Sequence, residues 1–273
     1  MPSADHLSRI ASQMKAAQDE VRQIAPFTTH LADFDVPAAY FVADLIHQAR
    51  IQEGAVPVGR KIGFTNPDMW SRYGVREPIW AYVYETTVAY LDGKYHTCNI
   101  GRFTEPKIEP EIVFHFCAPP PAGGDLAAIL ACIDWVAHGF EIVQSHFPGW
   151  KFHAADTIAD WALHGTLLVG EPQVVDQLGT DLIESLASFS LTLSCDGQLR
   201  EVGRGSNVLG NPLVAIAHLI SVLAKQPDFK SLQANELVTT GTITTAQSVH
   251  AGECWRTEVT GIALPGLSVE FTP

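Results

Sequence analysis

The stretch KIEPEIVFHF, from Lys107 to Phe116, sets two carboxylates two residues apart in a segment otherwise composed for a buried strand. Alternate residues of a strand share a face, so Glu109, Glu111, Val113 and His115 point one way while Ile108, Pro110, Ile112, Phe114 and Phe116 point the other. The second face reads as core. For the first, a solvated face and a buried acidic site both stand on this segment alone. A third lone acid, Glu141, occurs in HGFEIVQS between Phe140, Ile142 and Val143. Ionised carboxylates taken out of water cost several kcal/mol each unless paired, and a cluster repels itself, so a divalent cation is their natural partner. Ligands that are all oxygen point to Mg²⁺ or Mn²⁺ rather than to zinc.

Lys61 sits in VGRKIGF, a single cation between Val58, Ile62 and Phe64. It is either a surface-strand lysine or, beside a metal and an anionic substrate, a charge-balancing acid or base. His115 is read as a structural histidine or an outer partner of the metal ligands. GRGSNVLGNP (Gly203 to Pro212) lacks both G-x-G-x-x-G and G-K-[ST], so tight turns before a helix explain it better than a nucleotide does. TTGTITTA (Thr239 to Ala246) can offer hydroxyls and backbone N–H groups to a small carboxylate, or simply pair as a strand. No G-x-S-x-G elbow recommends a serine nucleophile.

The elements that must position these residues follow from periodicity. Leu7, Ile10, Met14, Ala17, Val21 and Ile24 form one apolar helical stripe, which packs on the parent domain or on a second subunit. A second helix is expected from Asp35 as cap and Pro37 in the first turn to a stop near Gly54. From Val56 the texture turns to short apolar runs, with Asp92-Gly93 and Asp196-Gly197 as hairpin turns. Helices are expected over Leu126 to His138, stopped by Gly139, and over Leu213 to Ala224 behind Asn211 and Pro212. The expectation is one domain over 1–273: a helical N-terminal arm, 1–55, and a β-rich metal-binding body, 56–273.

With 273 residues, 47% hydrophobic and 17% charged, the chain can bury a substantial core. No run approaches the eighteen apolar residues of a membrane span, and the first twenty residues lack a secretory apolar stretch, so a soluble cytoplasmic protein is expected. A formal net charge of -13 argues against nucleic-acid and anionic-membrane partners and leaves small molecules. Five cysteines, widely spaced and never in C-x-x-C, fit reduced thiols.

Taken in order, KIGF, KIEPEIVF, FEIVQS, WKFHAADTIAD, VLGNPLVAIAHLISVLA and LVTTGTITTA resemble the 2-oxopent-4-enoate hydratase and 4-oxalocrotonate decarboxylase branch of the fumarylacetoacetate hydrolase superfamily, from about Gln23 to Phe271. The resemblance implies an α+β fold: a mixed β-roll or distorted barrel with outer helices and a helical N-terminal region. It implies Mg²⁺ or Mn²⁺ on Glu109, Glu111 and Glu141, with Lys61 as the lysine of the K-I-G motif, and hydratases and decarboxylases that can associate; for this chain a homo-oligomer is expected. The implied reaction is a lyase step on a 2-oxo acid through an enolate, of hydratase or decarboxylase type. A carbon–carbon hydrolase of an acylpyruvate and a weakly active partner subunit are the alternatives.

Departures from the family pattern fall at two places. Trp161, Ala162, Leu163, His164 and Gly165 stand where hydratases carry N-A-S-[SC]-G, and Ile79 with Trp80 replaces the P-D-F-G aspartate. Trp80, Trp161 and Leu163 are therefore expected to enlarge and grease the substrate pocket, with Thr240, Gly241 and Thr242 completing it. His164 is expected to replace a lost water-handling group.

Overall fold

The computed structural model describes residues 2–67, 70–73, 75–92, 96–226 and 228–273. The arm holds α1 (Ala4–Asp19) and α2 (Val36–Gln52), and the body opens with β1 (Pro57–Gly63), α3 (Trp70–Tyr73), β2 (Ile79–Tyr84), β3 (Val88–Tyr90) and β4 (His96–Asn99). There follow β5 (Lys107–Phe116), α4 (Leu126–Leu130), β6 (Ile133–Val143), α5 (Ala154–Ala159), β7 (His164–Val169), β8 (Gln173–Val174) and α6 (Leu182–Ser188). The chain closes with β9 (Ser190–Cys195), β10 (Gln198–Arg204), α7 (Pro212–Ala224), β11 (Leu237–Thr239), β12 (Gln247–Ser248), β13 (Cys254–Thr260) and β14 (Ser268–Thr272).

Among the described residues these strands make two sheets. The larger runs β2-β1-β11-β5-β6-β7-β3, with β12 beside β5 and β8 beside β6; the smaller runs β10-β9-β13-β14-β4. The larger sheet is mixed, because β11 lies parallel to β1 but antiparallel to β5. The result is the α+β architecture expected, a curled sheet with helices outside it and a helical arm in front.

The two faces of β5 part as their period of two requires. Ile108, Ile112, Phe114 and Phe116 join the main core, whereas Val113 joins a smaller cluster with Ala137, Leu167, Val169 and Leu237. The arm shares the main core: Leu7, Ile10, Ala11, Met14 and Ala17 are buried in it. The stripe on α1 therefore packs on its own chain. It ends sooner than the periodicity predicts, since the helix stops at Asp19 and Val21 turns to a left-handed φ of 51°.

Two further expectations are corrected. The helix begun at Leu126 stops at Leu130, and Ile133 starts an eleven-residue strand. The ten residues of β5 pair with β6 from Phe116↔Ile133 to Lys107↔Val143, and Ile133, Trp135 and Val136 are strong strand formers. At Asp92-Gly93 the flanking segments do not form a hairpin, because β3 lies beside β7 and β4 beside β14 in the other sheet; Gly93 itself lies outside the described residues. Asp196-Gly197 does join β9 to β10, with positive φ at both residues (51° and 75°), as a tight hairpin turn demands. Behind its Asn211 cap, α7 matches its expected span. The stretch Gly205–Ala224 is long and apolar enough to cross a membrane by length and composition, yet half of it is buried, and Leu213, Ile216, Leu219 and Leu223 of α7 lie in the main core.

Candidate active site

Pairing in the larger sheet assembles the acids. Glu109 on β5 lies directly opposite Glu141 on β6, and Glu111 lies opposite Gly139. Like charges facing each other across strands are destabilising. Glu111 and Glu141 are nevertheless fully buried, and Glu109 is half-buried. Ligand oxygens from all three lie within 4.8 Å of one another. Among the described residues Glu111 Oε1 has no hydrogen-bond partner and Glu141 Oε2 meets only the Lys61 ammonium, although buried carboxylate oxygens are normally satisfied. Converging carboxylate oxygens with unused lone pairs fit a hard divalent cation.

Lys61 Nζ reaches the cluster from β1. It lies 3.2 Å from Glu141 Oε2 and donates to the carbonyl of Ala162 at 2.9 Å. Burial alone would lower its pKa, but Glu141, Glu109 and Glu111 outweigh that and hold it above the ordinary value. Burial, then the like charges of its neighbours, pushes Glu111 well above the usual carboxylate range. Glu109 is pushed up to about 7 by burial, against the pull of Lys61. Glu141 moves the other way: burial would raise it, but Lys61 and the bond from His164 hold it low.

Each acid is held by neighbours. Glu111 Oε2 accepts from Thr239 Oγ1 and, at 2.8 Å, from the Gly241 amide. Gly241 has φ +91°, and a Cβ there would sit 2.0 Å from Thr65 Oγ1, so only glycine brings this amide to the carboxylate. Glu141 Oε1 is 2.7 Å from His164 Nδ1, and His164 Nε2 is 2.9 Å from Thr87 Oγ1.

Beside the cluster lies a cavity of about 200 Å³. Lys61, Glu109, Ile79, Ala162, Leu163, Gly241 and Thr242 are among its lining residues. Lys107, Trp150 and Phe152 line it too, with Lys107 Nζ 3.8 Å from the centre of the Trp150 ring and Trp150 packed against Phe152. Sequence reading passed over Lys107, Trp150 and Phe152. Lys107 had a signal, since it shares the face of Glu109 and Glu111 on the same strand.

Several expected pocket residues lie elsewhere. Trp80 is on the face of β2 that meets Arg60, whose guanidinium is 5.5 Å from its ring, whereas Ile79 and Ala81 take the Lys61 face. Trp161 packs in the cleft between arm and sheet, donating to the Tyr82 carbonyl at 2.7 Å beneath Arg50. These tryptophans fill a space between elements and do not enlarge the cavity. Thr240 turns its hydroxyl back to the Ile112 carbonyl. His164 stands behind Glu141, not on the cavity wall among the described residues. His115 is at the far end of β5, 2.6 Å from Asp134 and stacked on Trp135. Asp156 and Asp160 anchor the arm: Asp156 accepts from the Thr28 amide, and Asp160 accepts from the His146 amide and from Gln18.

A 2-hydroxyhexa-2,4-dienoate hydratase of Comamonas testosteroni is 30% identical over 255 residues, 92% of each chain. A 4-oxalocrotonate decarboxylase of Pseudomonas sp. (strain CF600) is 27% identical over 91% of each. The chain belongs to the same branch as these hydratases and decarboxylases. No family model matches it. In fold it superposes with TM-score 0.89 on 4-oxalocrotonate decarboxylase from Pseudomonas putida G7, solved with magnesium and adipate, at 24% identity and 99% coverage of both chains. As a member of this branch it is an enzyme of the lyase type. The carboxylate triad is where a divalent cofactor such as Mg²⁺ or Mn²⁺ fits.

Proposed function

We propose that the enzyme acts on a 2-oxo acid in the cavity beside Glu109, Glu111 and Glu141, as a hydratase or decarboxylase, with Lys61 as the catalytic ammonium. The observation that carries this reading is the convergence of three carboxylates and a buried lysine beside a small-molecule cavity that Lys61 and Glu109 line. A divalent cation on the three glutamates would act there as a Lewis acid toward the carboxylate and keto oxygens of such a substrate. Lys61 adds a fixed positive charge where negative charge develops on the keto oxygen, and it holds a proton at Nζ. Ala162 O and Glu141 restrict that ammonium to one orientation. His164 holds Glu141 from behind, so its role is to orient the carboxylate rather than to handle water. Leu163, Ile79 and Phe152 keep the wall apolar and exclude water from the reacting atoms.

Lys107 favours a substrate with a second carboxylate. It precedes Glu109 on the same face of β5, one two-residue repeat or roughly 7 Å along the strand, and it lines the same cavity. A linear diacid can span from the glutamate cluster to this cation, which supports the decarboxylase form of the reaction over the hydratase. The test is a panel of 2-oxo monoacids and diacids with Mg²⁺ or Mn²⁺, followed by carbon dioxide trapping and product mass. Decarboxylation releases the gas and lowers the mass, whereas hydration raises the mass with no gas. Lys107→Met should raise KM for diacids alone. Equal turnover of both substrate classes by wild type and variant would remove the diacid reading, and turnover independent of metal would remove the whole proposal.

Self-association is proposed as well. Leu199 and Val202 are 64% and 55% exposed on the edge strand β10, an apolar edge of the kind that second copies cover. Light scattering that gave a monomer at assay concentration would contradict it.

A further inference from the structure

Three consecutive residues that carry side chains, Trp161, Ala162 and Leu163, have φ of +55°, +47° and +66°. Left-handed backbone is disfavoured wherever a Cβ is present, and a run of it persists only if the surroundings over-determine it. Here the surroundings include the N-terminal arm. The Arg50 guanidinium of α2 lies 4.8 Å from the Trp161 ring, and the other side of Trp161 is fixed by its bond to the Tyr82 carbonyl. Asp160, just before the turn, accepts from His146 Nδ1 at 2.7 Å and from Gln18 of α1 at 3.4 Å. Gln18 in turn accepts from Arg50 at 2.7 Å, which closes a ring of contacts around the turn.

What the turn delivers to the active site is one carbonyl group. Ala162 O is the acceptor for Lys61 Nζ, and Leu163 O binds the amide of Gln144 at the end of β6. If the turn relaxed to right-handed or extended backbone, the Ala162 carbonyl would rotate away and the ammonium would be left to Glu141 alone. We infer that Arg50 and Trp161 are positioning residues, by which the arm clamps the left-handed turn and the turn fixes Lys61. Neither lines the cavity, so neither is a catalytic residue. The inference rests on the proposed role of Lys61, because it gives the arm a purpose in the reaction.

The experiment compares the Mn²⁺-loaded wild type with Arg50→Leu, Trp161→Leu, the double variant and the milder Trp161→Phe, which keeps the ring but loses its N–H. Three quantities are read: kcat and KM on the best 2-oxo acid of the panel, Mn²⁺ affinity, and backbone hydrogen exchange by segment. A displacement of about 1 Å at a reacting group costs on the order of a hundredfold. We therefore expect each Leu variant to lose at least tenfold in kcat, with KM and Mn²⁺ affinity within threefold. Trp161→Phe should lose less, and the double variant no more than the worse single one. Exchange should quicken over 160–165 and stay unchanged over 107–116. Unchanged kcat with a loosened turn, additive losses, or faster exchange throughout the chain would overturn the inference. If the wild type turned over no 2-oxo acid, the proposed function would fall; the exchange pattern would then decide the clamp, with quickening confined to 160–165 supporting it and no quickening refuting it.

Discussion

Arg60 and Lys61 are adjacent cations on β1, each 2% exposed, and they face opposite sides of the sheet. Arg60 enters an aromatic bed, 3.9 Å from the Tyr82 ring, with Glu236 at 3.2 Å. One carboxylate answers one guanidinium, and the charges balance. Lys61 enters a nest of three carboxylates, which carry more negative charge than one ammonium balances when all three are ionised. The pKa directions follow that difference. Burial lowers Arg60 despite Glu236, whereas Lys61 is raised despite its burial. A buried ion pair that closes on itself serves packing. One with surplus negative charge is built to receive something from outside the chain.

The comparison breaks most sharply at the partners. Glu111→Gln or Glu141→Gln should lower turnover by more than the roughly 10- to 100-fold that loss of an outer partner costs, with little loss of folding stability. Glu236→Gln should do the reverse, destabilising by about 3–5 kcal/mol because Arg60 is left buried and unpaired, while turnover below the melting range stays within threefold. Steady-state kinetics and denaturant melts on the three variants check this, and equal kinetic losses in all would erase the distinction.

His164→Gln sits one step further out. It should weaken Mn²⁺ affinity roughly 10- to 100-fold by freeing Glu141 and leave the cavity wall intact, which isothermal titration would measure.

Acid should act on the two sides with opposite sign. Burial, with Arg60 and Lys230 nearby, pushes His47 down to about 4 from its ordinary 6.5. A group kept neutral in the fold contributes stability above its unfolded pKa, lost as pH falls from 6.5 toward 4. Glu109, held at about 7 against an ordinary 4.5, costs stability when ionised, and that cost is relieved as pH falls from about 7 toward 4.5. In EDTA, His47→Gln should flatten the first trend in melting temperature and Glu109→Gln the second.

The smallest expected effect concerns the rings. Trp80→Phe should leave KM within twofold, because its indole packs on Tyr40 and bonds Gln226 away from the cavity. Leu163→Ala, on the cavity wall, should shift KM several-fold. The same assay compares both.

Much of this was legible in the chain. The alternation in KIEPEIVFHF separated acids from core, and the two faces of β5 lie in two different clusters. The lone acid of HGFEIVQS was legible as a strand residue, but the strand's true start at Ile133 was not. A helical period through Leu126 and Ile129 runs into it, and only the partner strand β5 decides between the two. The tryptophans were misassigned for a related reason. Composition says that a large ring must be buried, but the side it takes depends on the register of β1 with β2, which sets Tyr82 against Arg60 and Ala81 against Lys61. Gly241, expected as a substrate contact, does line the cavity, but its amide, with the Thr239 hydroxyl, is turned onto Glu111, which only the pairing of β11 with β5 reveals.

The most direct measurement is a Mn²⁺ titration followed by electron paramagnetic resonance. The account predicts one tight ion per wild-type chain, lost in Glu111→Gln and retained in Glu236→Gln. Wild-type protein that binds no Mn²⁺, or a Glu111→Gln variant that binds it as tightly, would contradict the claim that the surplus charge beside Lys61 is a metal site.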